Sequence, residues 1–174
     1  NYDSTVSVID IPSLAETNKI RVGINPRRIV ADNSGNLYVV ASGDYNTIGP
    51  KLVKLSAAAE AVTFSADSAV STIEFYDNKL FVTNDFAYTG LSSNVRVLSP
   101  DNFANLSNSF ITDGTAIQTP YGLNIDENSG DVYVTDAKDF TVSGAVYCFN
   151  SQGQLRFSFS VSPGVAPNSV VFKR

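Results

Sequence analysis

Three aspartates, Asp131, Asp136 and Asp139, fall within the stretch GDVYVTDAKDF (Gly130 to Phe140). Neighbouring carboxylates can divide acid and base roles or hold a cation, so the stretch is the first place to look for chemistry. The chain has no histidine, which removes the commonest general base, the commonest zinc ligand and the His-dependent nucleophile triads. Its one cysteine, Cys148, sits in the strand-like tract Ala145 to Phe149 and reads as a small buried hydrophobe. What remains is carboxylate chemistry. Asp126-Glu-Asn-Ser-Gly-Asp131 offers oxygen ligands but lacks the distal bidentate Glu of a calcium loop, and Asp32-Asn-Ser-Gly-Asn36 fills the same place with fewer acids. Both read as hairpin turns, and neither a metal nor another cofactor is expected.

A second carboxylate pattern repeats. Asp44-Tyr45, Asp85-Phe86 and Asp139-Phe140 begin 6, 4 and 6 residues after the aromatics Tyr38, Phe81 and Tyr133. Each Asp can close its own loop by accepting backbone N–H bonds while the aromatic packs on a neighbouring sheet. Alternatively, the pairs together form a rim of carboxylates and flat apolar surfaces suited to a polar ligand with planar or sugar-like faces. Arg27, Tyr121 and Asn168, each following a loop proline, and Tyr88 in the loop Phe86 to Gly90 add further ligand-binding candidates.

The elements that must position these residues follow from the repeat. SGNLYVVAS (Ser34 to Ser42), DNKLFVTND (Asp77 to Asp85) and SGDVYVTDA (Ser129 to Ala137) share a turn, an apolar residue, an aromatic and Val. Their aromatics lie 43 and 52 residues apart, a period that suits a blade of four short strands. In each repeat an apolar strand precedes this core: Arg28–Ala31, Thr72–Phe75 and Gly122–Ile125. Third strands are expected at Lys51–Leu55, Asn94–Leu98 and Ala145–Phe149, and fourth strands at Ala61–Phe64, Asn108–Ile111 and Leu155–Phe159. Ser4–Ile9 and Asn18–Val22 read as two outer strands of an earlier blade, and Pro167–Phe172 as a lone inner strand.

The expected fold is therefore all-β: a β-propeller of four-stranded antiparallel blades, three of them whole and one split. Residues 1–23 are assigned to the preceding blade, 24–68, 69–114 and 115–164 to whole blades, and 165–174 to the inner strand of the closing one. Loops joining the second to the third strand of each blade, and one blade to the next, emerge around the central channel, which is the usual binding face of such a fold.

Composition narrows the partners. A net charge of −5 and a pI near 4.5 leave no basic surface for a phosphate backbone, so nucleic acid is excluded. No apolar run approaches the roughly 18 residues that cross a bilayer. The chain begins at Asn1 without any Met, as a processed product or fragment would.

The cores YVV, FVTN and YVTD resemble the YVTN-type propeller repeat. The tract VYVTDAKDFTVSGAVYCFNSQGQL with PNSVVF resembles the C-terminal blades of seven-bladed surface lipoproteins from gram-negative gut bacteria. The middle blade departs from the pattern, lacking the hairpin Gly and the Pro before its first strand. This resemblance implies export, attachment at the cell surface or outer membrane, or a periplasmic location, and no catalysis. It also implies a corrinoid as ligand and an outer-membrane transporter as partner, beside the glycan that the aromatic rim suggests. A surface-layer-like assembly role is the second expectation, and a carboxylate glycosidase or lyase using Asp85 and Asp139 is the third. A seven-bladed ring needs about twice this chain. Each open blade face exposing roughly 400 Å² of apolar surface would cost about 10 kcal/mol, so a missing N-terminal half or a second copy is expected to cover it.

Overall fold

In the computed structural model, residues 3–57, 61–84 and 94–173 are described, and no α-helix occurs among them. The chain divides into two units, Asn1–Val70 and Ser71–Arg174.

The first unit opens with an antiparallel pair, β1 (Thr5–Asp10) and β2 (Ala15–Arg21). A four-stranded antiparallel meander follows: β3 (Pro26–Ala31), β4 (Leu37–Ala41), β5 (Lys51–Leu55) and β6 (Val62–Asp67). The β3–β4 turn closes because the Asp32 carboxylate accepts the N–H groups of Ser34 and Asn36, both at 2.9 Å, while Gly35 supplies the left-handed φ of 81°. The same carboxylate accepts the hydroxyl of fully buried Tyr38 at 3.0 Å, so the turn and the repeat's core aromatic are fixed together. Alternate residues of β4 and β5 (Val39, Val53, Leu55) pack with Ile20 and Val22 into one apolar layer.

The second unit holds two more meanders. One is β7 (Val70–Tyr76), β8 (Lys79–Asn84), β9 (Val95–Leu98) and β10 (Asn105–Ser107). The other is β11 (Pro120–Ile125), β12 (Val132–Asp136), β13 (Ala145–Phe149) and β14 (Leu155–Ser160). They meet face to face: Phe81, Val95 and Val97 of the first pack on Leu123, Ile125, Val132, Val134 and Phe149 of the second. Phe110 sits between, edge-on to Phe81 at 5.3 Å and to Phe149 at 6.3 Å. Asn124 ties inner segments in sequence, donating to Glu74 Oε1 at 3.2 Å and accepting the Val170 N–H at 2.7 Å.

Two strand expectations shift. The fourth strand expected at Asn108–Ile111 lies instead at Asn105–Ser107. Phe110 still donates its N–H to the Val95 carbonyl at 2.7 Å, but its ring is drawn out of the sheet into the aromatic core. Residues 167–173 form no strand: the Pro167 carbonyl accepts from the Thr135 hydroxyl, Val170 bonds the Asn124 side chain, and Phe172 stands edge-on to Tyr133 at 5.2 Å. This tail thus binds through side chains of β11 and β12 rather than through a backbone ladder. The helix-like tract Ala57–Ala61 lies largely outside the described residues.

Cys148 is fully buried, and burial pushes its thiol up, as expected of a core thiol. On the same face of the β11–β14 sheet, Phe157 and Phe159 of β14 stack at 6.4 Å and remain 47% and 53% exposed.

Candidate functional site

Among the described residues, each unit carries one copy of the same small arrangement, built from a bulge and a loop. In the first, the β3–β4 register slips between Pro26 and Arg28, leaving Arg27 as the extra residue. In the second, the β11–β12 register slips between Pro120 and Gly122, leaving Tyr121 in the same position. Proline explains the placement, since it cannot donate a ladder bond and is tolerated at a bulge or strand start. A bulge also re-aims the side chain it carries.

The loop supplies the other half. Gly43 and Tyr45 have φ values of 72° and 61°; Lys138 and Phe140 have 54° and 66°. The two loops therefore share one conformation, with a pair of left-handed residues flanking Asp44 or Asp139. For Tyr, Phe and Lys this region is sterically costly and persists only where the surroundings hold it.

The aspartates do the holding. Asp44 accepts the N–H groups of Asn46, Thr47 and Ile48 at 2.9, 2.9 and 2.8 Å, and the Thr47 hydroxyl at 2.9 Å. Asp139 accepts the N–H groups of Thr141 and Val142 at 2.9 and 3.0 Å and the Thr141 hydroxyl at 2.8 Å. The amides of Ile48 and Asn46 hold the Asp44 carboxyl at about 2, and the Thr141 amide and hydroxyl hold Asp139 below the ordinary range. Neither group is poised to take or give a proton near neutrality.

The aromatics are thereby presented. Tyr45, 49% exposed, receives the Arg27 guanidinium on its hydroxyl at 3.4 Å. Phe140, 38% exposed, meets Tyr121 edge-on at 5.3 Å. Both aromatics engage the bulge residue of their own sheet, because the slipped register turns that side chain toward the loop. Arg27 also reaches the Ser42 hydroxyl at 3.4 Å and lines a cavity of about 260 Å³ with Thr5, Pro26 and Ile29.

Of the other expected site residues, Asp85, Phe86 and Tyr88 lie outside the described residues. Asn168 keeps an exposed side chain, and its backbone carbonyl lies against Gly122, where a Cβ would collide with it. It belongs to no bulge, so its match to Arg27 and Tyr121 ends at the preceding proline.

Asp136 stands where the other repeats have Ala41 or Ser42 and Asn84, which from sequence reads only as a polar strand end, and the structure gives it more to do. It is fully buried and accepts the N–H groups of Gln118, Thr119 and Lys138 at 3.1, 2.8 and 2.9 Å, while the Lys138 ammonium reaches it at 2.8 Å. Burial alone would push this carboxyl up; the Lys138 side chain and the backbone amides outweigh it, leaving it below the ordinary range. Asp136 so anchors the loop that carries Asp139 and Phe140, and the Asp-x-Lys spacing was its only sequence signal. Asp131 likewise does more than end a turn, pairing with Arg156 of β14 at 2.6 Å.

No family model matches the chain, and no curated protein matches it. Solved structures do. Hydrazine synthase of Kuenenia stuttgartiensis aligns with a TM-score of 0.69 at 12% identity, over 91% of this chain and 43% of that one. The Dos1 propeller aligns at 0.64 and 12% identity, over 92% and 43%. A quinoprotein alcohol dehydrogenase-like protein of Bacteroides thetaiotaomicron aligns at 0.61 and 15% identity, over 92% and 42%. The fold is a partial β-propeller of four-stranded blades. At these identities the likeness is one of fold, and the chain spans less than half the length of each of these structures.

Proposed function

We propose that this chain is part of a non-catalytic binding protein that holds a glycan against the aromatics of its second-to-third-strand loops. The observation that carries the reading is the repeated pairing of a bulge residue with an exposed aromatic fixed in the left-handed region. Strained, polar-capped loops that present a ring to solvent are found at ligand sites, and a flat ring flanked by a polar bulge residue suits the apolar face and hydroxyls of a sugar. The depressed carboxyls of Asp44 and Asp139 support binding over cleavage, since a glycosidase needs one acid raised toward neutrality.

Resemblance to exported repeat proteins supports a place at the cell surface beside an outer-membrane transporter. The half-exposed rings on β14 support a further sheet, from a missing N-terminal half or a second copy, packed over that face.

The test is calorimetry against a panel of oligosaccharides with cyanocobalamin alongside. Glycan binding weakened by Tyr45→Ala or Phe140→Ala is the expected result. Cyanocobalamin binding lost in the same variants would make the ligand a corrinoid instead. No heat from any ligand, with ordered self-assembly of the protein, would favour the surface-layer reading.

A further inference from the structure

The two sheets of the second unit show how one face of this repeat is covered. On the β7–β10 sheet, Phe81 stands opposite Val97 and Thr83 opposite Val95. Phe81, Val95, Val97 and nearby Phe110 are buried under Leu123 and Ile125 of β11, Val132 and Val134 of β12 and Phe149 of β13. The corresponding face of the β11–β14 sheet carries Tyr133 opposite Cys148 and Phe157, and Val146 opposite Phe159. Residues 167–173 cover only part of it. Pro167 aligns with Pro120, so Val170 and Phe172 take the places of Leu123 and Ile125, and Phe172 meets Tyr133 edge-on at 5.2 Å. Among the described residues of this unit, nothing takes the places of Val132, Val134 and Phe149. Phe157 and Phe159 therefore stay 47% and 53% exposed, where Phe110 on the other sheet is 7% exposed.

The 167–173 segment is held in place but not paired. Gly122 and Gly144 leave room for the Asn168 carbonyl and the Pro167 ring, the Thr135 hydroxyl donates to the Pro167 carbonyl, and the Val170 N–H goes to Asn124 Oδ1 at 2.7 Å. No strand pairs with the segment among the described residues, and Val171 is 89% exposed. An open backbone edge thus stands beside two exposed rings, and such an edge is a template for another strand.

We propose that this edge and the Phe157–Phe159 shelf accept an added β-hairpin from a partner polypeptide. Its first strand runs antiparallel to 169–172 with valines at alternate positions, and its second sets a large apolar side chain on the two rings. Main-chain bonds of an added strand give affinity, and the sites for alternate side chains give specificity. The pattern is the cover of the β7–β10 sheet, where Val132 and Val134 lie two apart on one face and Phe149 reaches Phe110 edge-on at 6.3 Å. The inference gives the further sheet over β14 its chemistry and rests on that reading, independently of the glycan.

The test is NMR titration of the full chain with a synthetic peptide of residues 129–149, the β12–β13 hairpin, and with the same peptide carrying serine in place of Val132, Val134 and Phe149. The first peptide should shift the amides of residues 169–173 and the Phe157 and Phe159 ring signals, and slow hydrogen exchange at Val171; the serine peptide should do neither. Val171→Pro, which takes an N–H from the open edge, and Phe157→Ser with Phe159→Ser should each weaken binding about tenfold. Ile11→Ser, at an exposed apolar residue of the first unit, should leave it unchanged. Self-association of the chain that the peptide displaces supports the site, with a second copy as its occupant. Equal binding of the serine peptide, shifts that spare residues 169–173, or self-association lost with the two rings yet indifferent to the peptide overturns the proposal. Glycan binding is read separately at the Tyr45 and Phe140 amides, so each reading can fail alone. Unchanged amide spectra away from the face establish that the variants are folded.

Discussion

Replacing Asp136 with Ala removes a carboxylate that serves three amides and one ammonium at once. Truncating one side of a buried charge pair costs about 3–5 kcal/mol, because the partners are left unsatisfied. Here the amides of Gln118 and Thr119 face a fully buried position, whereas the Lys138 side chain is 27% exposed and can turn to water. Most of the loss therefore falls on the amides. Lys138→Gly dissects the two contributions: it removes the ammonium, worth about 1 kcal/mol at a partly exposed site, and relieves a left-handed φ of 54° that costs a lysine of order 1 kcal/mol. These nearly cancel. Urea denaturation should show Asp136→Ala destabilised by about 3 kcal/mol or more and Lys138→Gly within about 1 kcal/mol of the parent. A Lys138→Gly variant as damaged as Asp136→Ala would show that the ion pair, rather than the fork of amides, holds the loop, and would refute the reasoning.

Acid should release the first loop late. Asp44 titrates at about 2 in the folded chain and near 4 when unfolded, so its contribution is whole above the unfolded value and is lost as pH falls through the folded one. An NMR titration of the Asn46, Thr47 and Ile48 amides should centre near 2, and a midpoint near 4 would contradict the capping geometry. Gly122→Ala places a methyl on the Asn168 carbonyl and 2.7 Å from the Thr135 hydroxyl oxygen, so the tail should lift. Limited proteolysis should then cut within residues 165–173 sooner than in the parent, and unchanged cleavage would count against the packing. Phe157→Ser with Phe159→Ser should reduce self-association by sedimentation and cost about 1 kcal/mol per ring, since only roughly half of each transfer term is realised. A variant that unfolds would show the rings to be buried.

The fold was legible because its signals are local. Turn chemistry at Asp32 to Gly35 and the aromatic-Val strands recur at a blade-like spacing, and the third strands at Lys51–Leu55 and Ala145–Phe149 form where their β-branched and aromatic content put them. Strand β10 slipped because Phe110 answers to two rings distant in sequence, Phe81 and Phe149, which no window around Asn108 reveals. The site was half legible. Repetition exposed the Asp-aromatic pairs, and the proline flagged Arg27 and Tyr121. The bulge itself depends on register between two strands, and the left-handed backbone at Tyr45 and Phe140 on a carboxylate bonding forward along the chain; neither is a property of composition. The Asp131–Arg156 pair spans 25 residues and joins the turn before β12 to β14, which is not adjacent to β12, so nothing local announced it.

The shared loop conformation separates two jobs that are usually entangled. Closure rests on Asp44 or Asp139 and on backbone amides, while the surface presented to solvent is decided at Arg27 and Tyr45, or Tyr121 and Phe140. Residues at the second set can change without disturbing the first, provided position 45 or 140 tolerates left-handed backbone, which Asn and Gly do best. The loops thus behave as interchangeable display sockets. A library randomised at 27 and 45, or at 121 and 140, would vary the presented surface on an unaltered frame, and under the proposed glycan reading the same separability would let specificity change in few mutational steps.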